Sequence, residues 1–309
     1  MRVLVVGGAG YVGDFLVNSL IVRGYDVVVF DNLMYSDRYL KPVKFIYGDI
    51  TKLEQIKAAI IGRNIDYVIW AAALVGDALC AKDPELTRIV NVEAVRAFSK
   101  IYDGPCFFFS TCSVYGANND LLNEDSPVNP LSVYASTKLE AEQILLERAN
   151  VLVYRLGTLL GLSGEDARPR MDLVGNALTL KAVRNNPITV FGGEQMRPLM
   201  SVKEVAHAVC FGLDRKLTGL FTIAESNMNI SELATMIKNR TESKSEIVVT
   251  DIPFEDMRNY RVDCSKLRDT GWLTHYPIRL AIDEFAKTIR ESRVKNADLN
   301  LYYNGRYSI

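Results

Sequence analysis

A tyrosine and a lysine four residues apart, in Tyr134-Ala135-Ser136-Thr137-Lys138, are the residues of this chain whose types and spacing best suit proton transfer. On a helix such positions share a face, so the ammonium can lie beside the phenol. A phenol with a reference pKa of about 10 is a poor base near neutrality, and a neighbouring positive charge stabilises its phenolate. Upstream, Thr111, Cys112 and Ser113 follow the apolar run Cys106 to Phe109, at what should be the carboxyl edge of a strand. There Thr111 could hold a substrate hydroxyl while Tyr134 takes its proton and a nicotinamide takes hydride from the same carbon. The same spacing also suits an amphipathic helix with a stacked tyrosine and a solvated lysine, so the reading depends on whether the chain binds a nicotinamide.

The start of the chain answers that. Met1 to Val6 reads as a buried strand, followed by Gly7-Gly8-Ala9-Gly10-Tyr11-Val12-Gly13 and a helical pattern as far as Arg23. Glycines three apart allow a tight turn and close approach of a pyrophosphate, and the helix N-terminus turns its N–H groups and positive dipole end toward the phosphates. A second apolar strand, Asp26 to Phe30, leads into Asp31, eighteen residues beyond Gly13. A carboxylate there accepts hydrogen bonds from an adenosine ribose and repels a 2′-phosphate, so the expected cofactor is NAD rather than NADP.

The elements that must position these residues alternate through the first half. After Asp31 come a strand from Lys44 to Tyr47, a helix from Lys52 to Ile61, a strand from Tyr67 to Ala71 and a helix from Asp83 to Ile101. A strand from Cys106 to Ser110, a helix from Val133 to Arg148 and a strand from Val151 to Arg155 follow. Strands separated by such helices imply right-handed crossovers and a parallel sheet covered on both faces. The expected fold class is α/β, a doubly wound parallel sheet of Rossmann type with a smaller mixed α/β substrate domain. Residues 1–161 form the NAD-binding domain in this reading, with a return segment near 201–224; residues 162–200 and 225–309 form the other.

Composition excludes several classes. In 309 residues, 36 Lys and Arg nearly match 37 Asp and Glu, for a net charge of −1. That offers no basic surface for nucleic acid or membrane. No apolar stretch reaches bilayer length and the chain opens as a core strand, so a cytoplasmic location is expected. Cys80, Cys106, Cys112, Cys210 and Cys264 are odd in number and scattered, as reduced core thiols would be. The only histidines, His207 and His275, stand apart in sequence, which argues against a metal site and a histidine triad.

Taken together, these motifs resemble the extended short-chain dehydrogenase/reductases, the nucleotide-sugar epimerase/dehydratase group. The marks are the glycine turn, Asp31-Asn32-Leu33, Gly48-Asp49-Ile50, Ala71-Ala72-Ala73, Asn91, Ser110-Thr111-Cys112-Ser113-Val114-Tyr115-Gly116, Tyr134 with Lys138, and Asp263-Cys264-Ser265-Lys266 leading to Gly271-Trp272. The resemblance implies that Asp49 and Ile50 contact the adenine, that Ala71, Ala72 and Ala73 line the nicotinamide side, and that Lys138 also holds the nicotinamide ribose. Asn32 and Asn91 join this cofactor set. It implies a nucleoside-diphosphate sugar in the second half, with Arg197 and Arg258 on the diphosphate and Val190-Phe191 on the base. Arg168, Arg170 and Asn176, in the loop Ser163 to Asn176, join Thr111, Cys112 and Ser113 as substrate residues. Two helices per subunit, here Asp83 to Ile101 and Val133 to Arg148, would build a homodimer or homotetramer.

Three departures from the group's pattern narrow the reaction. Sugar 4,6-dehydratases carry Asp-Glu after the threonine, where this chain has Cys112 and Ser113, so dehydration is not expected. Thr158 stands where most members have Asn, and Pro198 stands where an Asp usually follows the arginine. What remains is NAD-dependent oxidation of a ring carbinol, at C4. The leaning is to a dehydrogenase similar to the GDP-heptose C4 enzymes of bacterial capsule and lipopolysaccharide synthesis; the alternative is a 4-epimerase using the same transient oxidation. An NAD-sensing regulator would have no need of Tyr134 and Lys138.

Overall fold

The computed structural model describes residues 1–250, 258–294 and 296–306; the parts of the expected second domain at 251–257, 295 and 307–309 lie outside the described residues. Seven parallel strands form the central sheet, in the spatial order Gly219–Ile223, Val151–Leu156, Cys106–Thr111, Tyr67–Trp70, Arg2–Val6, Asp26–Asp31, Lys44–Tyr47. The inner strands are continuously apolar because both faces are covered. Val3 and Val5 pack with Leu16, Val17 and Val209 of helices Gly13–Val22 and Val202–Asp214. Leu4 and Val6 pack on the other face with Phe98 and Leu145. This is the expected doubly wound α/β class. Chain order reverses between Arg2–Val6 and Tyr67–Trp70, and a ligand crevice opens beyond the carboxyl ends at such a point.

One stretch differs from expectation in a way that shapes the site. The run expected as a single helix from Asp83 to Ile101 is α-helical over Pro84–Arg88, makes one π-helical turn over Ile89–Glu93, and resumes over Ala94–Ile101. A π turn accommodates one residue more than an α turn and is common at functional sites; here it contains Asn91. An unexpected short helix, Asp77–Lys82, lies just before it.

The second half builds three small sheets: Ser226–Asn229 with Met196–Ser201 and Thr158–Leu160, Ile247–Thr250 with Ile188–Phe191, and Asn259–Val262 with Ala117–Leu122. Leu160, Leu178, Ile188, Leu199, Leu233 and Ile282 form its core. Strand Ala117–Leu122 was not expected, since Ala-Asn-Asn-Asp-Leu-Leu is mostly exposed and has no apolar alternation. Its pairing, with Asn259 opposite Ala117, brings Arg258 to the end of strand Cys106–Thr111. All five cysteines are free and buried. Among the described residues no helix is long and apolar enough to cross a membrane.

Candidate active site

The cofactor side is built mainly from backbone. Gly7 has φ +84°, and a Cβ there would lie 2.5 Å from the Ala72 nitrogen; one at Gly13 would lie 2.4 Å from the Gly7 carbonyl oxygen. Only glycine lets the turn close this tightly. The amides of Ala71 and Ala72 both donate to the Val6 carbonyl, at 2.7 and 2.9 Å, which seats the Ala71-Ala72-Ala73 loop beside the turn. Gly10 donates to Gly7 at 3.2 Å. The amides of Tyr11 and Val12 have no acceptor among the described residues and sit at the start of helix Gly13–Val22. This cradle fits a pyrophosphate.

Side chains then fix the loops around it. The Tyr11 hydroxyl donates to the Gly161 carbonyl at 2.7 Å. Asp31 accepts from the amides of Ala9 at 3.0 Å and Leu33 at 2.8 Å, and burial raises its carboxyl above the ordinary range. Asn32 accepts from the Met34 amide at 3.1 Å, and Asp49 from the Thr51 amide and hydroxyl at 2.8 and 2.9 Å, while Ile50 packs under the sheet.

Helix Val133–Leu146 begins at Ser132, whose side chain accepts from the Ala135 amide. It brings Tyr134 against the Thr111 hydroxyl. Burial raises the phenol above its ordinary value, while the Thr111 hydroxyl and the Arg170 charge act to lower it. Lys138 is 3% exposed and its Nζ lies 3.9 Å from the centre of the Phe108 ring. Desolvation pushes its pKa down to about 7, against the raising charge of Glu142. The influences that lower the Tyr134 phenol come first from the Thr111 hydroxyl and then from the Arg170 charge.

Beneath the helix runs a buried network that the sequence reading missed. Arg155 donates to both oxygens of Glu142, at 2.6 and 3.1 Å, and to the Tyr115 hydroxyl at 3.0 Å; Ser110 donates to Glu142 at 2.5 Å. It ties helix Val133–Leu146 to strands Cys106–Thr111 and Val151–Leu156. The available signal was an arginine inside an otherwise uncharged, largely apolar strand and a glutamate four residues after Lys138.

On the substrate side, the Ser113 amide donates to Thr111 Oγ1 at 3.1 Å. Arg258 donates to Ser113 Oγ at 3.2 Å and pairs with Asp77 at 3.0 Å. Arg197 is 5% exposed, donates to the carbonyls of Met196 and Arg258, and lies over the Tyr260 ring. Arg170, bidentate to Asp172 at 2.7 and 2.8 Å, places its charge near Tyr11 and Tyr134. These residues come together as expected; Asp77 and Tyr260 were missed because their partners lie far along the chain.

Five assignments change. Cys112 is fully buried, donates to the Arg155 carbonyl at 3.3 Å, and has its thiol pushed well above its usual value by burial, so it lies behind the site. Asn176 spends its amide on Gly161 N, Gly161 O and Arg170 O, at 2.7, 2.9 and 2.7 Å. Arg168 donates to the Leu301 carbonyl and Asn304 and stacks 3.7 Å over the Tyr35 ring. Asn91, 2% exposed, binds the Leu74 amide and carbonyl at 2.9 and 3.0 Å and Thr137 at 3.2 Å, so its side chain is spent joining the loop after Ala73 to helix Val133–Leu146. Val190 is a core residue at 1% exposure, which leaves Phe191, 37% exposed, as the accessible member of that pair. Asn304, missed in the sequence, donates to the Val75 carbonyl and binds Asp172 as well as Arg168.

Residues 3–224 match the family described as NAD dependent epimerase/dehydratase. A UDP-glucose 4-epimerase of Lactobacillus helveticus is 27% identical over 284 residues, covering 82% of this chain and 84% of that protein. A UDP-glucose 4-epimerase of Halalkalibacterium halodurans is 30% identical over 233 residues, covering 67% and 69%. Among solved structures, the UDP-glucose 4-epimerase of Thermus thermophilus in complex with NAD superposes with a TM-score of 0.80 at 24% identity, over 94% of this chain and 99% of that one.

Proposed function

The chain belongs to the NAD dependent epimerase/dehydratase family, and from that premise we propose that it is a nucleotide-sugar 4-epimerase, oxidising the C4 carbinol and reducing the ketone from its other face. The NAD cofactor of this family supplies hydride acceptance and return when bound. Gly7, Gly10, Gly13 and the Tyr11 and Val12 amides would hold its pyrophosphate, Asp31 its adenosine ribose, and Lys138 its nicotinamide ribose. Thr111 orients the sugar hydroxyl, and Tyr134 takes its proton on oxidation and gives one back on reduction. Arg197, Arg258 and Arg170 supply the positive charge a diphosphate requires.

The carrying observation is the meeting of Tyr134 and Thr111 beside positions that offer no second acid and base. The Cys112 thiol is buried and held protonated, and Ser113 is bonded to Arg258, so neither can drive elimination of water. The curated relatives named as epimerases support return of the hydride over release of the ketone.

A second reading, a C4 dehydrogenase of GDP-heptose type in bacterial surface-polysaccharide synthesis, draws support from the clamp of Arg168, Asn304 and Asp172. A site wall fastened in this way leaves less room for a keto sugar to turn over. Purified protein incubated with UDP-, GDP- and dTDP-sugars separates the readings. An epimer seen in the anomeric proton spectrum without net NADH supports the first; stoichiometric NADH with a keto sugar supports the second; neither product with any nucleotide sugar defeats both. We also propose a cytoplasmic homodimer or homotetramer, formed through the face where Ile89 and Leu131 are 40% and 49% exposed; sedimentation as a monomer at micromolar concentration would remove that assembly.

A further inference from the structure

The chain's only two histidines, far apart in sequence, meet in space around a buried carboxylate that takes no part in the site above. Glu204, in the first turn of helix Val202–Asp214, is 0% exposed. One of its oxygens accepts from the amides of His275 and Tyr276, at 2.8 and 2.7 Å. The other accepts from Trp272 Nε1 at 3.1 Å and lies 3.0 Å from His207 Nδ1. A carboxylate already collecting three N–H donors is the accepting partner of that last contact, so His207 Nδ1 carries the hydrogen and Nε2 is the ring atom left to face a ligand. His275 Nδ1 lies 2.8 Å from the Leu273 carbonyl, which can only accept, so its Nε2 is likewise the ring atom left to face a ligand. Neither Nε2 has a partner among the described residues.

Two imidazoles, each with its far nitrogen fixed by a carboxylate or a carbonyl, form the arrangement that orients histidines toward a metal. The ring centres are 4.0 Å apart, and one ligand atom from each of Glu204, His207 and His275 lies within 4.8 Å of the other two. His207 is partly exposed and His275 exposed, which gives a cation an entry path and room for waters to complete its shell. We propose that His207 and His275 bind a divalent cation of the zinc class, with the negative charge of Glu204 behind them. Nitrogen donors select such borderline cations over magnesium or calcium, which prefer oxygen. Zn–N bonds of about 2.0–2.1 Å require the rings to part by on the order of 1 Å. The bound cation would fasten helix Val202–Asp214 to the segment that leads into helix Ile278–Arg290, whose Ile278 and Ile282 belong to the core of the second half.

The test is calorimetric titration of zinc sulfate into the full-length protein, with the thermal midpoint recorded in parallel and the visible spectrum recorded with cobalt. One site per chain is expected, with a raised midpoint and a cobalt band of nitrogen coordination. His207→Gln and His275→Gln should each weaken zinc binding at least tenfold while leaving metal-free turnover unchanged. Equal zinc affinity in native protein and the double variant, or no binding by the native protein at millimolar zinc, would show that the rings are only a packing pair. Should the double variant fold poorly, His275→Gln alone, at an exposed position, decides the matter in the same way.

Discussion

On the cofactor side of the cleft the surface is main chain: a glycine turn, two amides with no acceptor among the described residues, and a loop seated by the carbonyl of Val6. On the substrate side the groups are long side chains that already hold parts of the protein, Arg197 on Arg258, Arg258 on Ser113 and Asp77, Arg168 on Asn304. Main-chain recognition tolerates little change in geometry, so its residues are written as spacing. Side-chain recognition can be rewired, and there the same residue types serve structure in one place and ligand in another. The two sides meet at Tyr134, where the comparison is broken most sharply.

Tyr134→Phe keeps the ring and removes the oxygen, so folding and NAD binding should survive while hydride transfer falls by roughly 10²- to 10⁴-fold, the value of a lost general base. Single-turnover reduction of bound NAD by the correct sugar nucleotide measures this. A variant as fast as the native protein would make Tyr134 a packing residue.

Next in size is Asp31, a cofactor contact predicted to depend on a side-chain charge. Asp31→Ala should weaken NAD binding by about ten- to a hundredfold, the worth of one charge-assisted hydrogen bond of roughly 1.5–3 kcal/mol, and should narrow the preference for NAD over NADP. Dissociation constants for both cofactors provide the check. If the native protein binds the two equally, the ribose assignment fails.

Asn304 tests whether the substrate wall supports the cofactor wall. Its side-chain amide joins Val75, just past the Ala71-Ala72-Ala73 loop, to Arg168, while its backbone N–H donates to Asp172. Asn304→Ala should raise the NAD dissociation constant by about tenfold, as expected from one buried hydrogen bond of roughly 1–2 kcal/mol lost from the loop. An unchanged constant together with unchanged turnover would confine Asn304 to holding the chain's end.

The same contrast explains what could be read in advance. The order of strands and helices, the glycine turn, Asp31, and Tyr134 with Lys138 follow local periods of two, three and four residues, and a single chain displays those directly. Asn304 and Arg168, Ser113 and Arg258, Tyr115 and Arg155 are joined across long stretches of chain with no shared period. The π turn at Ile89–Glu93 was equally invisible, because the one-residue shift it puts into the apolar pattern is hard to see in helical pieces of five and eight residues on either side. Glu204 and His207 did lie three apart on one helix. Reading the two histidines as isolated overlooked that spacing.

The smallest expected effect concerns Lys138, the cation that spacing alone puts one helical turn from Tyr134. Burial over Phe108 moves its pKa from 10.5 to about 7. Between those values the folded chain binds fewer protons than the unfolded chain, so this group's contribution to stability increases with pH across that window and is lost as pH falls through about 7. Below the window the ammonium is charged in both states and the fold bears its full desolvation cost. Lys138→Met keeps the apolar stem and removes the charge. In cofactor-free protein, the variant should therefore gain most in thermal midpoint over the native chain on the acid side, and its advantage should shrink steadily as the buffer is made alkaline. Thermal melts of the two proteins over a pH series measure the gap. A gap that stays constant with pH would mean that the lysine keeps its solvation in the fold and its charge at every pH of the series.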